Sequence, residues 1–213
     1  MGVRVTVLYR LDAIAAEFAS RFDAAAGRDR WAGGHIAPGL FAPVITAGRE
    51  FIAGPRHSQA PRRVVPRQWG VPPPPSAGSA GRGVLTVRNP DSPFWIGNLR
   101  NSEFRCLVPA TRVMEWGKGQ DRDGKRRQRW LALADQPVFA FAGVWKDSEV
   151  PSFALLTCEA NGLLRAEGKP EMPAILPDDP AAWRLWLEGD WRAARELLQP
   201  YSSSQMRIES AKA

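Results

Sequence analysis

The sequence predicts a mixed α+β domain in which many short strands share one core. Three observations predict it. First, 19 glycines and 19 prolines among 213 residues interrupt the chain too often for a helical bundle. Second, runs of β-branched and aromatic residues recur at short intervals. Third, only a few segments carry apolar residues at helical spacing behind a capping residue.

The elements follow in order. Residues 3–10 (Val-Arg-Val-Thr-Val-Leu-Tyr-Arg) read as a strand. Asp12 predicts a cap for a helix running to about Ala26, with Ile14, Phe18 and Phe22 on one face and Gly27 as its stop. Residues 35–48 read as a loop leading into a strand. Residues 49–67 carry Arg49, Arg56, Arg62, Arg63 and Arg67, on a hairpin and its flanks. Residues 72–83 are a proline run followed by Ser, Ala and Gly, a composition that predicts a surface loop. Asp91 or Ser92 is expected to cap a short helix reaching about Asn101, which sets Trp95 and Leu99 one turn apart. Strands are expected at 105–116, 129–133, 138–145, 153–158 and 172–176, with 117–128 as a charged hairpin tip. Asp179 opens a helix with Pro180 at its favoured first position. A second short helix covers about 191–198, and 201–213 form a C-terminal segment. Residues 1–213 are expected to make a single domain, with 1–5 as an N-terminal extension.

Composition narrows the function. Lys and Arg number 29 against 22 Asp and Glu, a net charge of +7, which favours an anionic partner such as nucleic acid. A solvated basic surface without a partner is the alternative. No stretch reaches the roughly 18 apolar residues of a membrane span, and the first ten residues lack a signal-peptide pattern. A cytoplasmic, monomeric protein is expected. Met1-Gly2-x-x-x-Thr6 matches an N-myristoylation pattern, but nothing else suggests an anchor. Two cysteines cannot make a disulfide framework or a four-thiolate zinc site. His35 and His57 are the only histidines, so neither a metal nor a cofactor is expected.

Ten short motifs point further. They are Tyr9-Arg10-Leu11, Ile36-Ala37-Pro38-Gly39, Trp69-Gly70 with its prolines, Val87-Arg88-Asn89 with Ser92-Pro93-Phe94-Trp95, and Arg105-Cys106-Leu107-Val108-Pro109-Ala110. Further along lie Met114-Glu115-Trp116, Phe141-Ala142-Gly143-Val144-Trp145, Thr157-Cys158-Glu159-Ala160-Asn161 and Met172-Pro173-Ala174-Ile175-Leu176. In this order, over roughly residues 6–189, the set resembles the SRAP family, the SOS response-associated peptidases now read as abasic-site processing proteins. The resemblance implies a compact β-rich domain, barrel-like at its core and flanked by several helices, with a basic cleft for single-stranded DNA. It also implies an N-terminal cysteine that closes a thiazolidine on the aldehyde of an abasic site. A Glu, an Asn and a His assist it.

The chain departs from that pattern at its reactive positions. Thr6 or Gly2 stands where the cysteine belongs, depending on how the start is aligned. The Asn position falls on Thr86. The His position falls on Gly168, with Lys169 next to it. Glu115 and Arg88 keep the expected identity. A hydroxyl needs an activating base where a thiolate does not, so a stable crosslink is not expected. A Gly2 amine can form a Schiff base but cannot trap it.

Glu115 is expected in the cleft as a proton shuttle, with a surface Glu at a strand end as the alternative. Arg88 suits a phosphate or an internal carboxylate. Trp69 either stacks on a base or belongs to the core. Arg67 and Arg10 complete the expected DNA contacts, with a solvated face as the alternative for the Arg49–Arg67 group. Cys106 and Cys158 read as buried core residues.

Three functions therefore compete. The first is a module that binds single-stranded or abasic DNA at the nucleoid without crosslinking it. The second is a lyase-type enzyme using an N-terminal amine with Glu115. The third is a protein-interaction role on an inherited fold.

Overall fold

A computed structural model describes residues 8–11, 24–25, 33–48, 62–74, 83–120, 122 and 124–210. Among these, β1 (Leu8–Leu11), β2 (Ala24–Ala25), β3 (Gly34–Ile36), β4 (Phe41–Thr46), β5 (Arg62–Trp69) and β6 (Thr86–Val87) precede helix α1 (Ile96–Arg100). Then come β7 (Arg105–Ala110), β8 (Arg112–Gln120), β9 (Arg126–Leu133), β10 (Phe139–Lys146), β11 (Ser152–Glu159), α2 (Gly162–Ala166) and β12 (Glu171–Pro173). Helices α3 (Pro180–Glu188) and α4 (Trp191–Ala194) and strand β13 (Met206–Ser210) complete the chain.

The architecture is a ring of strands joined to a second sheet. In the ring, β11, β10, β7, β4 and β5 are neighbours in that order, and parallel pairing of β11 with β5 closes it. Closure removes the open sheet edges on which strands of other molecules would otherwise pair. The second sheet runs β13-β9-β8-β1-β3. Strands β4, β7 and β10 are buried almost end to end, because the ring interior covers one face and other elements cover the opposite face. Each fully buried apolar side chain there stabilises the fold by about 1.5–3 kcal/mol.

Three contacts show how tightly β7 is packed. Trp186 of α3 has no exposed surface, and its indole N–H donates to the Cys106 carbonyl of β7 at 2.9 Å. Gly143 faces Cys106 across β10 and β7. A Cβ there would lie 2.6 Å from Val108 Cγ2 and 2.8 Å from Cys106 Sγ, so only glycine fits. The fully buried Arg105 donates to the Gly189 carbonyl. Burial lowers its guanidinium pKa to about 10, partly opposed by the Asp190 carboxylate.

The ends of the proline-rich segment are fastened together. Val71 and Val84 exchange two backbone hydrogen bonds of 3.0 and 2.7 Å, and the Trp69 indole N–H donates to the Leu85 carbonyl at 3.1 Å. Gly83 lies so close to Gly70 that a Cβ on it would sit 2.7 Å from the Gly70 backbone.

Several elements differ from expectation. The run 105–116 is two strands, because the chain passes from the ring to the second sheet at Thr111. The hairpin strands β8 and β9 extend into the charged segment, β8 as far as Gln120 and β9 from Arg126. Helix α1 starts later than predicted. Neither Asp91 nor Ser92 caps it through its side chain; the Ser92 carbonyl accepts from the Trp95 and Ile96 amides instead. Ala24–Ala25, expected at the end of a helix, is a strand paired parallel with Arg62–Arg63. The remainder of that helix, residues 3–7 of the first strand, Arg49, Arg56, His57 and residues 75–82 lie outside the described residues. Helix α2 and strand β13 were not predicted. Among the described residues, no helix is long and apolar enough to cross a membrane.

Candidate functional site

The site forms where β6, β8, β11 and the α2–β12 connection meet. Its centre is Glu115 on β8, whose side chain is 7% exposed. Strand β1 pairs with β8 so that Leu8 lies opposite Met114, immediately before Glu115.

A helix terminus supplies the partner. Asn161 caps α2, its Oδ1 accepting from the Leu164 amide at 3.1 Å while its Nδ2 donates to the Tyr201 carbonyl at 2.7 Å. At the other end Gly168 takes φ +78°. The Gly168 amide donates to the Arg165 carbonyl (2.9 Å) and the Lys169 amide to the Leu164 carbonyl (3.0 Å). This hydrogen-bond pair is a Schellman cap, with glycine in the left-handed position. Glu167 pins the turn to β8 by accepting from the Lys118 amide at 3.0 Å. The cap delivers Lys169, whose Nζ lies 2.8 Å from Glu115 Oε2 with the side chain 19% exposed.

The opposite wall comes from β6, which pairs parallel with β11. Thr86 lines the cavity, and Arg88 reaches Glu171 Oε2 at 3.1 Å while 66% of its side chain stays exposed. The Thr157 hydroxyl is shared between the Val87 carbonyl at 3.2 Å and the Glu171 carboxylate at 3.4 Å. The cavity, open to solvent on one side, has a volume of about 90 Å³. Two cations and two carboxylates face it, each cation paired. Lys118 and Arg126, both exposed, continue the positive charge outward along the β8–β9 hairpin.

Thr86, Arg88 and Glu115 are thus brought together. Gly168 stands one residue outside, and its neighbour Lys169 occupies the cavity. Of the readings open for Arg88, the internal carboxylate is the one present. Trp69 is in the core, with no exposed surface and its ring stacked on Phe153 at 6.4 Å; it does not stand at the surface where a base could stack. Arg67 is also withdrawn, 5% exposed, with its guanidinium 4.4 Å from the Trp145 ring centre. Both residues sit on the ring strand β5 and serve its packing. Arg10 lies in β1 opposite Arg112 and His35 in register. Gly2 and Thr6 lie outside the described residues. In the sequence Lys169 stands out only as the neighbour of the His position and Thr157 only as part of a motif, neither with a role, and Glu171 does not stand out; for Lys169 the available signal is a glycine seven residues beyond the Asn161 cap.

Cys106 is fully buried. Cys158 packs against the core, and burial, together with the nearby charges of Glu159 and Glu171, raises its thiol pKa to about 11. Among the described residues, no group of His, Cys, Asp and Glu is placed to hold a metal ion.

A family model for SOS response associated peptidases (SRAP) matches residues 1–212. Among solved structures, a protein from Bordetella bronchiseptica is 21% identical with a TM-score of 0.74, over 98% of this chain and 100% of that one. A protein from Bacteroides thetaiotaomicron is 19% identical with a TM-score of 0.71, over 94% and 90%. A phage-related protein from Bordetella bronchiseptica is 15% identical with a TM-score of 0.69, over 97% and 94%. At these identities the likeness is one of fold. No curated protein matches the chain.

Proposed function

This chain belongs to the SOS response associated peptidase (SRAP) family, and on that premise we propose that it binds single-stranded DNA at abasic sites without forming the thiazolidine crosslink. The observation that carries this reading is the convergence of Thr86, Arg88 and Glu115 on one cavity. Glu115 and Thr86 stand at two of the positions the family resemblance assigns to sugar-holding and proton-transfer groups, and Arg88 is the arginine expected to meet a phosphate.

Charge supports the binding half. Arg88 lines the cavity with 66% of its side chain exposed. A phosphate competes well for a guanidinium already held by a half-exposed carboxylate. Lys118 and Arg126 extend the track for a backbone. The missing thiol supports the other half. The chain has two cysteines; one is buried, and the other is held protonated and turned to the core. The protein acts in this reading as a monomer at the nucleoid.

The test is retention of an oligonucleotide carrying one abasic site, measured between 50 and 200 mM salt. Two to four phosphate contacts predict a loss of roughly 7- to 50-fold over that range. Arg88→Ala should flatten the salt slope by about 0.7. Retention that ignores salt, or is absent at both concentrations, overturns the binding half. An adduct that survives denaturation without added reductant overturns the other.

A further inference from the structure

Resting on the reading just given, we propose that Lys169 is the amine that captures the open-chain sugar aldehyde of an abasic site, as a reversible Schiff base, with Glu115 moving the protons. Lysine is the side chain suited to this bond, being a primary amine on a long flexible stem. Most surface lysines are solvated and protonated. Lys169 is instead four-fifths withdrawn from solvent and 2.8 Å from a carboxylate that is itself almost fully buried. Both line the cavity that Thr86 and Arg88 also line. Its backbone is held by the Schellman cap rather than by a loose loop. Amine, proton acceptor and a phosphate-binding guanidinium thus surround one space.

The step balances as follows. The Lys169 ammonium gives a proton to the Glu115 carboxylate. The freed nitrogen lone pair forms a bond to the aldehyde carbon, and the carbonyl electron pair moves to oxygen. A second nitrogen proton passes to that oxygen, giving a carbinolamine. Glu115 returns its proton to the hydroxyl, which leaves as water while the nitrogen lone pair closes the C=N bond. One water is released, and a single positive charge remains on nitrogen beside the Glu115 carboxylate. The ion pair present before reaction is present after it, so the cavity need not accommodate a new charge. Water reverses the step unless a hydride reductant fixes the product.

The experiment uses the full chain, a single-stranded oligonucleotide with one abasic site, and sodium cyanoborohydride. Trapped complex is digested and the modified peptide identified by mass. The adduct is expected on the peptide bearing Lys169. Lys169→Arg keeps the charge opposite Glu115 but offers no neutral amine; it should lose about 100-fold or more of the trapping while retaining DNA with the unchanged salt slope. Glu115→Gln should slow trapping at least about tenfold, within the range of general acid–base effects. An adduct confined to the N-terminal amine, or Lys169→Arg trapping at the parent rate, overturns the proposal. Normal DNA retention with no trapped species overturns it and leaves the binding reading intact. Absence of retention overturns both.

Discussion

Replacing Gly168 by alanine tests whether the turn that delivers Lys169 is set by backbone conformation. At φ +78° an L-residue with a Cβ carries a strain of about 1–2 kcal/mol. The new methyl would meet Lys118 Cε at 2.9 Å, the far part of a flexible side chain, so that clash relaxes at small cost. Alanine also stiffens the unfolded chain, offsetting about 0.4–1 kcal/mol. At the middle of both ranges the net loss is about 0.8 kcal/mol, which for a chain of this size lowers the melting temperature by roughly 2–3 °C. Gly168→Asn provides the control. It carries the same Cβ toward Lys118 but tolerates the left-handed region, so it should lose less than alanine. Thermal and urea unfolding of the three proteins give the comparison. If alanine matches the parent, or asparagine is no better than alanine, the Schellman cap does not govern this turn.

Two further outcomes follow from the packing and the titration. Because the Cys158 pKa is raised to about 11, the thiol stays protonated well past the ordinary range. Alkylation by iodoacetamide should be about 200-fold slower at pH 8 than for an ordinary thiol and should rise tenfold per pH unit toward 11; a rate that levels near pH 8.5 would contradict this, with Cys158→Ser identifying the site. Gly143→Ala should overpack the ring and cost about 1–3 kcal/mol. Adding Val108→Ala should recover part of that loss, since Val108 Cγ2 is the first atom met, and simple additivity of the two changes in urea unfolding would refute the steric account.

Local signals were read where the cause is local. Asp179 accepts from the Ala181 amide at 2.9 Å with Pro180 in the first turn, as the capping pattern required. The apolar runs 138–145 and 153–158 announce strands, because a strand buried on both faces has few other compositions, and the strands found are Phe139–Lys146 and Ser152–Glu159. The crossing at Thr111 is marked only by the polar pair Thr111-Arg112 between Cys106–Ala110 and Val113-Met114, a break that one continuous strand also accommodates, so only the change of pairing partners reveals it. Trp69 and Arg67 carry the residue types of a DNA surface, yet closure of the ring turns both inward, a consequence of long-range pairing with β11 that composition does not encode. The site was half legible. Glu115, Thr86 and Arg88 follow from motif positions, whereas Lys169 depends on a helix end that two backbone hydrogen bonds define.

The joined flanks of the proline-rich segment carry an implication for engineering and for divergence. With Val71 bonded to Val84 and the Trp69 indole bonded to Leu85, the two flanks are held together by contacts of their own. Doubling such an excursion costs only about 0.6 kcal/mol of closure entropy. Tags, reporters or whole inserted modules spliced between these two anchors should therefore leave the barrel and its cavity undisturbed.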